Sequence, residues 1–60
     1  MRLRFIGEDG SLGLEHGRVY RVRIYSESNR IWLAINRNSF FDVVSCCYDS
    51  PQGFAKNWSL

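Results

Sequence analysis

The chain has no long hydrophobic run. None of its apolar stretches approaches the roughly 18 to 20 residues that a helix needs to cross a bilayer. The beginning of the sequence also lacks the apolar segment of a secretory signal. We therefore expect a cytoplasmic protein with no membrane partner. Repeats, linkers and low-complexity tracts are absent as well, so the sequence predicts one small domain over residues 1–60.

Cysteine and histidine are scarce, which leaves little material for a metal site or a catalytic centre. Cys46 and Cys47 are adjacent, so on a strand they point to opposite sides and are poorly placed to bridge each other. His16 is the only other good candidate for a zinc ligand, and it is distant in sequence. Asp42 and Asp49 are interpreted as a turn former and a solvated carboxylate. The sequence thus predicts no enzyme, no metal and no cofactor.

Glycine is concentrated in the loop that follows the first predicted strand. Three glycines lie within residues 7–13, but no phosphate-binding pattern with Lys and Ser or Thr accompanies them, and no helical pattern follows. Glu8 and Asp9 would repel a phosphate group. We interpret this segment as a structural turn and His16 as a solvated loop residue.

What the chain does contain is enough apolar material for a dense core. Its hydrophobic content is 45%, with nine aromatic residues among sixty, which is typical of a globular protein and not of a disordered one. The net charge is only +2, but seven of the eight basic residues are arginine. Arginine suits bidentate contacts with carboxylates and phosphates, so the location of these side chains matters more than their sum.

Alternation of apolar and polar residues predicts four strands followed by a helix. The strands are expected at Met1–Ile6, Arg18–Tyr25, Ile31–Asn36 and Phe40–Tyr48, with a turn over residues 36–39. In the fourth strand the periodicity does not decide which side faces inward. Ser50 and Pro51 are typical of a helix start and predict a short C-terminal helix to about Trp58, with Phe54 and Trp58 packed on the core.

The second and third strands predict a hairpin with two chemically different faces. A turn at Ser28 and Asn29 places Ile24 opposite Leu33 and Val22 opposite Ile35, which makes one face apolar. The other face is basic and aromatic, and it carries the candidate partner-binding residues Arg21, Arg23, Tyr25, Trp32 and Asn36. Exposed Trp and Tyr beside Arg are typical of interface hot spots. Two alternatives stay open for Trp32: it is covered by the terminal helix, or it lies inside a homodimer.

Taken together, these elements predict a mainly β protein: a small antiparallel barrel of four to five strands with a short C-terminal helix. The chain resembles small SH3-like barrel proteins of phage and prophage origin. The resemblance is carried by the spacing of Leu14, Gly17, Tyr20, Val22 and Ile24, by Ile31, Trp32 and Leu33, and by Ser50, Pro51, Phe54, Asn57 and Trp58. It implies a compact, non-enzymatic binder in the cytoplasm of a bacterial host, with inhibition of a host defence protein as the expected activity.

A second hypothesis assigns the same face to nucleic acid or to a signalling nucleotide. In that case Arg21 and Arg23 would meet phosphates while Tyr25 and Trp32 stack on bases. The modest net charge and the acidic residues in the loops favour a host protein as the partner. Open strand edges in so small a domain also predict a homodimer.

Overall fold

The computed structural model describes residues 1–38 and 41–60. Five strands form one antiparallel sheet in the order β4-β3-β2-β1-β5. The strands are β1 (Arg2–Phe5), β2 (Val19–Glu27), β3 (Arg30–Asn36), β4 (Val43–Tyr48) and β5 (Trp58–Ser59), and the helix α1 spans Pro51–Asn57. The prediction of a mainly β fold with a short C-terminal helix is therefore confirmed.

The sheet is open, with β4 and β5 as its two edges. These edges do not pair through their backbones in the part of the chain that the structure describes. They are nevertheless close, because Trp58 on β5 donates a hydrogen bond from Nε1 to the Tyr48 hydroxyl on β4 at 3.0 Å. The sheet is therefore curved strongly enough for side chains on its two edge strands to contact each other.

The β2–β3 hairpin forms in the predicted register. Val22 pairs with Ile35 and Ile24 with Leu33. Ser28 and Asn29 both have positive φ, at 55° and 61°, which is the conformation of a two-residue turn whose twist matches that of the flanking strands. This turn sets the register and therefore decides which side chains share a face.

The fourth strand begins later than predicted. It starts at Val43, whereas Phe41 lies in a turn with 90% of its surface exposed, and Ser39 and Phe40 lie outside the described residues. Arg37 closes the preceding loop, since its backbone N–H donates to the Asp42 carbonyl at 2.9 Å and its guanidinium binds the Asp42 carboxylate at 2.6 Å. These contacts extend the pairing of β3 and β4 by one residue pair and close the connection between the two strands.

The core occupies one side of the sheet. From β4 it receives Val44, Cys46 and Tyr48, which settles the inward face of that strand. The loop between β1 and β2 crosses this side and inserts Leu14, which is fully buried. Among the described residues, those that are fully or nearly fully buried are Leu3, Phe5, Leu14, Tyr20, Val22, Leu33, Ile35 and Trp58.

Ile24 lies on the predicted apolar face but is not buried. By strand alternation it lies on the core side next to Val22, but 40% of its surface is exposed. It stands where β2 runs out towards the hairpin tip, and all residues from 25 to 30 are exposed. The loop and helix that cover the core do not reach that far along the strand.

Helix α1 begins as predicted, since the Ser50 hydroxyl accepts a hydrogen bond from the Gly53 N–H at 3.2 Å. It ends at Asn57, one residue before the predicted end, because Trp58 joins β5 and pairs with Phe5 of β1. Phe54 packs edge-on against Tyr48, with ring centroids 6.0 Å apart. The helix has seven residues, and no helix of the described chain is long and apolar enough to cross a membrane.

Candidate binding face

The side of the sheet opposite the core carries no covering element in the described chain, and we call it the outer face. Strand alternation assigns its residues, because successive side chains point to opposite sides. It consists of Arg2 and Arg4 from β1, Val19, Arg21, Arg23, Tyr25 and Glu27 from β2, Arg30, Trp32, Ala34 and Asn36 from β3, Val43, Ser45 and Cys47 from β4, and Ser59 from β5.

The structure brings the five sequence-predicted binding residues together on this face. Arg21 pairs with Asn36, and Tyr25 pairs with Trp32. Arg23 lies between them on β2, opposite Ala34. The three β2 side chains are exposed, whereas Trp32 and Asn36 are partly buried. The placement of these residues on one surface is what the hairpin register predicts.

The middle of the outer face is concave. An open groove of about 790 Å³ runs across it, and Arg21, Arg23 and Asn36 are among the residues that line it. Five of its lining residues are apolar: Met1, Val22, Ile24, Ala34 and Val43. Tyr25 and Trp32 lie next to the groove along the same strands and do not line it.

Sequence reasoning missed the contribution of β1 to this face. Arg2 pairs directly with Arg21, so two guanidinium groups stand on neighbouring strands at the same level of the sheet. Arg4 lies further along β1 and donates a hydrogen bond from Nη1 to the Gly17 carbonyl at 2.5 Å. The alternation of β1 predicts that its arginines lie on the face away from Leu3 and Phe5. A long loop separates β1 from β2, however, so no tight turn predicts how these two strands pair.

Three arginines of the outer face, Arg2, Arg21 and Arg23, have no carboxylate partner among the described residues. Three ion pairs occur among residues 1–38 and 41–60, joining Arg18 to Glu15, Arg30 to Asp49 and Arg37 to Asp42. None of these involves Arg2, Arg21 or Arg23. Like charges on adjacent strands destabilise a sheet unless an anion or water lies between them. The arrangement is suited to an anionic partner.

The aromatic residues of the outer face pack against each other. The Tyr25 and Trp32 rings are stacked, with centroids 6.3 Å apart and planes inclined by 14°. Trp32 Nε1 also donates to the Glu27 carbonyl at 3.3 Å, which fixes the orientation of the indole. The alternative that Trp32 lies beneath the terminal helix is wrong, because α1 packs through Phe54 on the core side.

The two cysteines point to opposite sides, as predicted, and both are free thiols. Cys46 faces the core, and its burial raises the pKa of its thiol. Cys47 lies on the outer face beside Trp32, and the Arg30 guanidinium approaches its sulfur at 3.7 Å. This contact, together with the nearby Asp49 carboxylate, raises the pKa of Arg30.

The other candidate chemical groups of the sequence are engaged in loops. His16 is exposed, and its Nδ1 lies 2.9 Å from the Gly7 carbonyl, while its backbone N–H donates to the Asp9 carboxylate at 3.0 Å. No group of three or more His, Cys, Asp or Glu residues in the described chain could hold a metal ion. The outer face therefore offers guanidinium, amide and aromatic groups, which bind partners through charge, hydrogen bonds and stacking.

Comparison of the chain with protein-family models, with curated proteins and with solved structures found no match.

Proposed function

We propose that this chain is a non-enzymatic binding protein whose outer face docks on an acidic surface of another protein. Because the chain resembles small barrel proteins of phage and prophage origin, we also propose where the partner comes from. That partner is a bacterial host protein, with a defence component as the specific hypothesis, and the encounter takes place in the host cytoplasm.

The observation that carries the proposal is the set of unpaired arginines around the groove. Arg21 and Arg23 line it and Arg2 stands beside Arg21, and none of the three forms an ion pair among the described residues. A partner that brings carboxylates to this face would relieve the repulsion between Arg2 and Arg21 and form bidentate contacts. Complementary charge of this kind raises association rates and selects against wrong partners.

The apolar part of the groove lining favours a protein over a nucleic acid as the partner. Ala34 and Val43 can be desolvated by apolar side chains, whereas a phosphate backbone gains nothing from them. The stacked Tyr25 and Trp32 supply a rigid aromatic surface at the end of the groove. Such a surface loses little conformational entropy on binding, which is why aromatic residues are common hot spots.

A nucleic acid or a signalling nucleotide is the second candidate. The opposed Arg2 and Arg21 favour it, because two guanidinium groups at one level of the sheet suit a phosphate oxygen between them. A base could stack on the outer side of the Tyr25–Trp32 pair. This hypothesis uses the same face and predicts a strong dependence of affinity on salt.

We also propose that the fold is a small SH3-like barrel in which side chains, and not backbone pairing, close the gap between β4 and β5. Three contacts support this proposal. The Trp58 indole donates to the Tyr48 hydroxyl, the Phe54 ring packs on Tyr48, and the Trp58 ring packs on Phe5 at a centroid distance of 5.1 Å.

The test is capture of proteins from a nuclease-treated bacterial lysate by the immobilised chain, with quantification by mass spectrometry. The variant Arg21→Ala/Arg23→Ala removes two charges from the groove. Its matched control, Arg18→Ala/Lys56→Ala, removes the same net charge from positions outside the groove. We expect a captured protein that is retained by the control variant and lost with the groove variant.

The same three proteins are then titrated with a random-sequence single-stranded oligonucleotide and with nucleotides over a salt series. Oligonucleotide binding that weakens steeply with salt and is lost only in the groove variant would replace the protein hypothesis with the nucleic-acid hypothesis. Capture that is unchanged in the groove variant would contradict both, because both place the partner on the outer face.

A further inference from the structure

Strand β4 is an edge of the sheet, and the hairpin turn determines which of its backbone groups are free. In a two-residue turn the closing residues, here Glu27 and Arg30, form a hydrogen-bonded pair. Antiparallel pairs then alternate, so every second residue of β3 from Arg30 onwards bonds to β2. The intervening residues bond to β4, and these are Ile31, Leu33 and Ile35.

This alternation determines which backbone groups of β4 are not bonded to β3. The partners of Ile31, Leu33 and Ile35 are Tyr48, Cys46 and Val44, whose backbone groups are therefore used inside the sheet. The remaining residues, Val43, Ser45 and Cys47, direct their N–H and C=O groups away from β3. None of these groups takes part in the backbone hydrogen bonds that the described residues form outside the strand ladders.

The free edge lacks the features that usually prevent strand addition. Its six residues, Val43–Tyr48, contain no charged side chain and no proline, and each of them pairs in register with β3 without a bulge. Proteins commonly protect such edges with lysine, proline or a bulge. An unprotected edge of this length is a template for another strand.

The edge is complementary to itself. Its three outward residues are centred on Ser45, so an antiparallel copy places Ser45 opposite its own equivalent and Val43 opposite Cys47 of the second copy. The charged groups at the two ends are already neutralised, by the Arg37–Asp42 pair before the strand and the Arg30–Asp49 pair after it. No like charges oppose each other in this register.

We propose that two copies of the chain associate through β4, antiparallel and centred on Ser45, to form one continuous ten-stranded sheet. Side chains that oppose each other across paired strands share a face. The outer faces of the two copies therefore become one surface, with a groove on each side of the new strand pair. This inference does not depend on the identity of the partner that the outer face binds.

The first test measures the mass of the wild-type chain and of two variants by analytical ultracentrifugation. Ser45→Lys places two ammonium groups opposite each other at the centre of the proposed interface. Ser59→Lys makes the same substitution on the opposite edge of the sheet, where Ser59 is also exposed. We expect twice the 7.0 kDa chain mass for wild type and Ser59→Lys, and at least tenfold weaker association for Ser45→Lys.

The second test uses Ser45→Cys in a Cys46→Ala/Cys47→Ala background under mild oxidation. Hydrogen-bonded residues on antiparallel strands have Cα atoms about 5.5 Å apart, which lies within the range of a disulfide. We expect a covalent dimer from this variant and none from Arg23→Cys in the same background. The proposal would be overturned if the wild-type chain is a monomer or forms an assembly larger than a dimer. It would also be overturned if Ser59→Lys dissociates the dimer and the cysteine at position 45 forms no cross-link.

Discussion

The two sides of the sheet are built from alternate residues of the same strands, yet they differ in almost every respect. On the core side, Val22, Leu33 and Ile35 are buried under the β1–β2 loop and α1. On the outer face, the intervening Arg21 and Arg23 are exposed, and the described chain offers them no carboxylate partner. Along β2, residues that are buried in the core therefore alternate with charged residues that are free to contact a partner.

Removing a core side chain should have the largest effect on folding. Leu33 is fully buried at the centre of β3, so Leu33→Ala should lower the free energy of unfolding by about 2 to 4 kcal/mol. Arg23 lies on the neighbouring strand β2 and on the outer face. Arg23→Ala should therefore lower the free energy of unfolding by no more than about 0.5 kcal/mol. Urea titrations measure both values, and equal losses would contradict the assignment of the two faces.

Tyr48 tests the contact between the two sheet edges. Tyr48→Phe removes the acceptor of the Trp58 indole N–H, which should cost about 1 to 2 kcal/mol at neutral pH because that donor is partly buried. Burial, which outweighs the opposing effect of the hydrogen bond from Trp58, raises the pKa of Tyr48 to about 12 from its usual 10. The folded state therefore favours the neutral phenol.

The sign of the pH dependence follows from this shift. The folded state holds the Tyr48 proton more tightly than the unfolded state, so the stabilisation is complete below pH 10 and is lost as the pH rises through 12. The wild-type free energy of unfolding should fall over this interval more steeply than that of Tyr48→Phe. Parallel curves for the two proteins, recorded by urea titration at successive pH values, would contradict the burial of this phenol.

The helix cap gives a smaller and purely local effect. The Ser50 hydroxyl accepts from the Gly53 N–H, and Ser50→Ala leaves that donor without its side-chain partner. We expect a loss of about 1 kcal/mol, whereas Ser50→Asp should retain most of the stability because aspartate also caps helices. Thermal unfolding of the two variants provides the measurement. If Ser50→Asp loses as much stability as Ser50→Ala, then Ser50 does not stabilise the protein by capping the helix.

Local signals in the sequence were sufficient for the hairpin and for the helix start. Asn29 suits a positive φ, and Ser and Asn side chains can close turns, so this turn predicts the register of β2 and β3 and with it the five candidate binding residues. Ser50 and Pro51 likewise marked the beginning of α1. Each of these features depends on residues that are close in sequence.

The features that sequence reasoning missed depend on distant contacts. β5 has two residues, which is too short to show a period, and Trp58 joins it only because Phe5 offers a free strand edge. Gly7 illustrates the same limit, since it was interpreted as a turn residue. A Cβ at that position would collide with the Asn57 side chain and the Phe5 ring, so close packing and not turn geometry requires glycine there.

The separation of the core side from the outer face is tested by measuring both binding and stability of one variant, Arg21→Ala/Arg23→Ala. We predict that it loses the captured host protein while its free energy of unfolding stays within about 1 kcal/mol of wild type, because exposed, unpaired side chains contribute little to folding. The control Arg18→Ala/Lys56→Ala should retain both properties. Full retention of binding by the groove variant, or a loss of stability comparable to that of Leu33→Ala, would contradict the separation of the two faces.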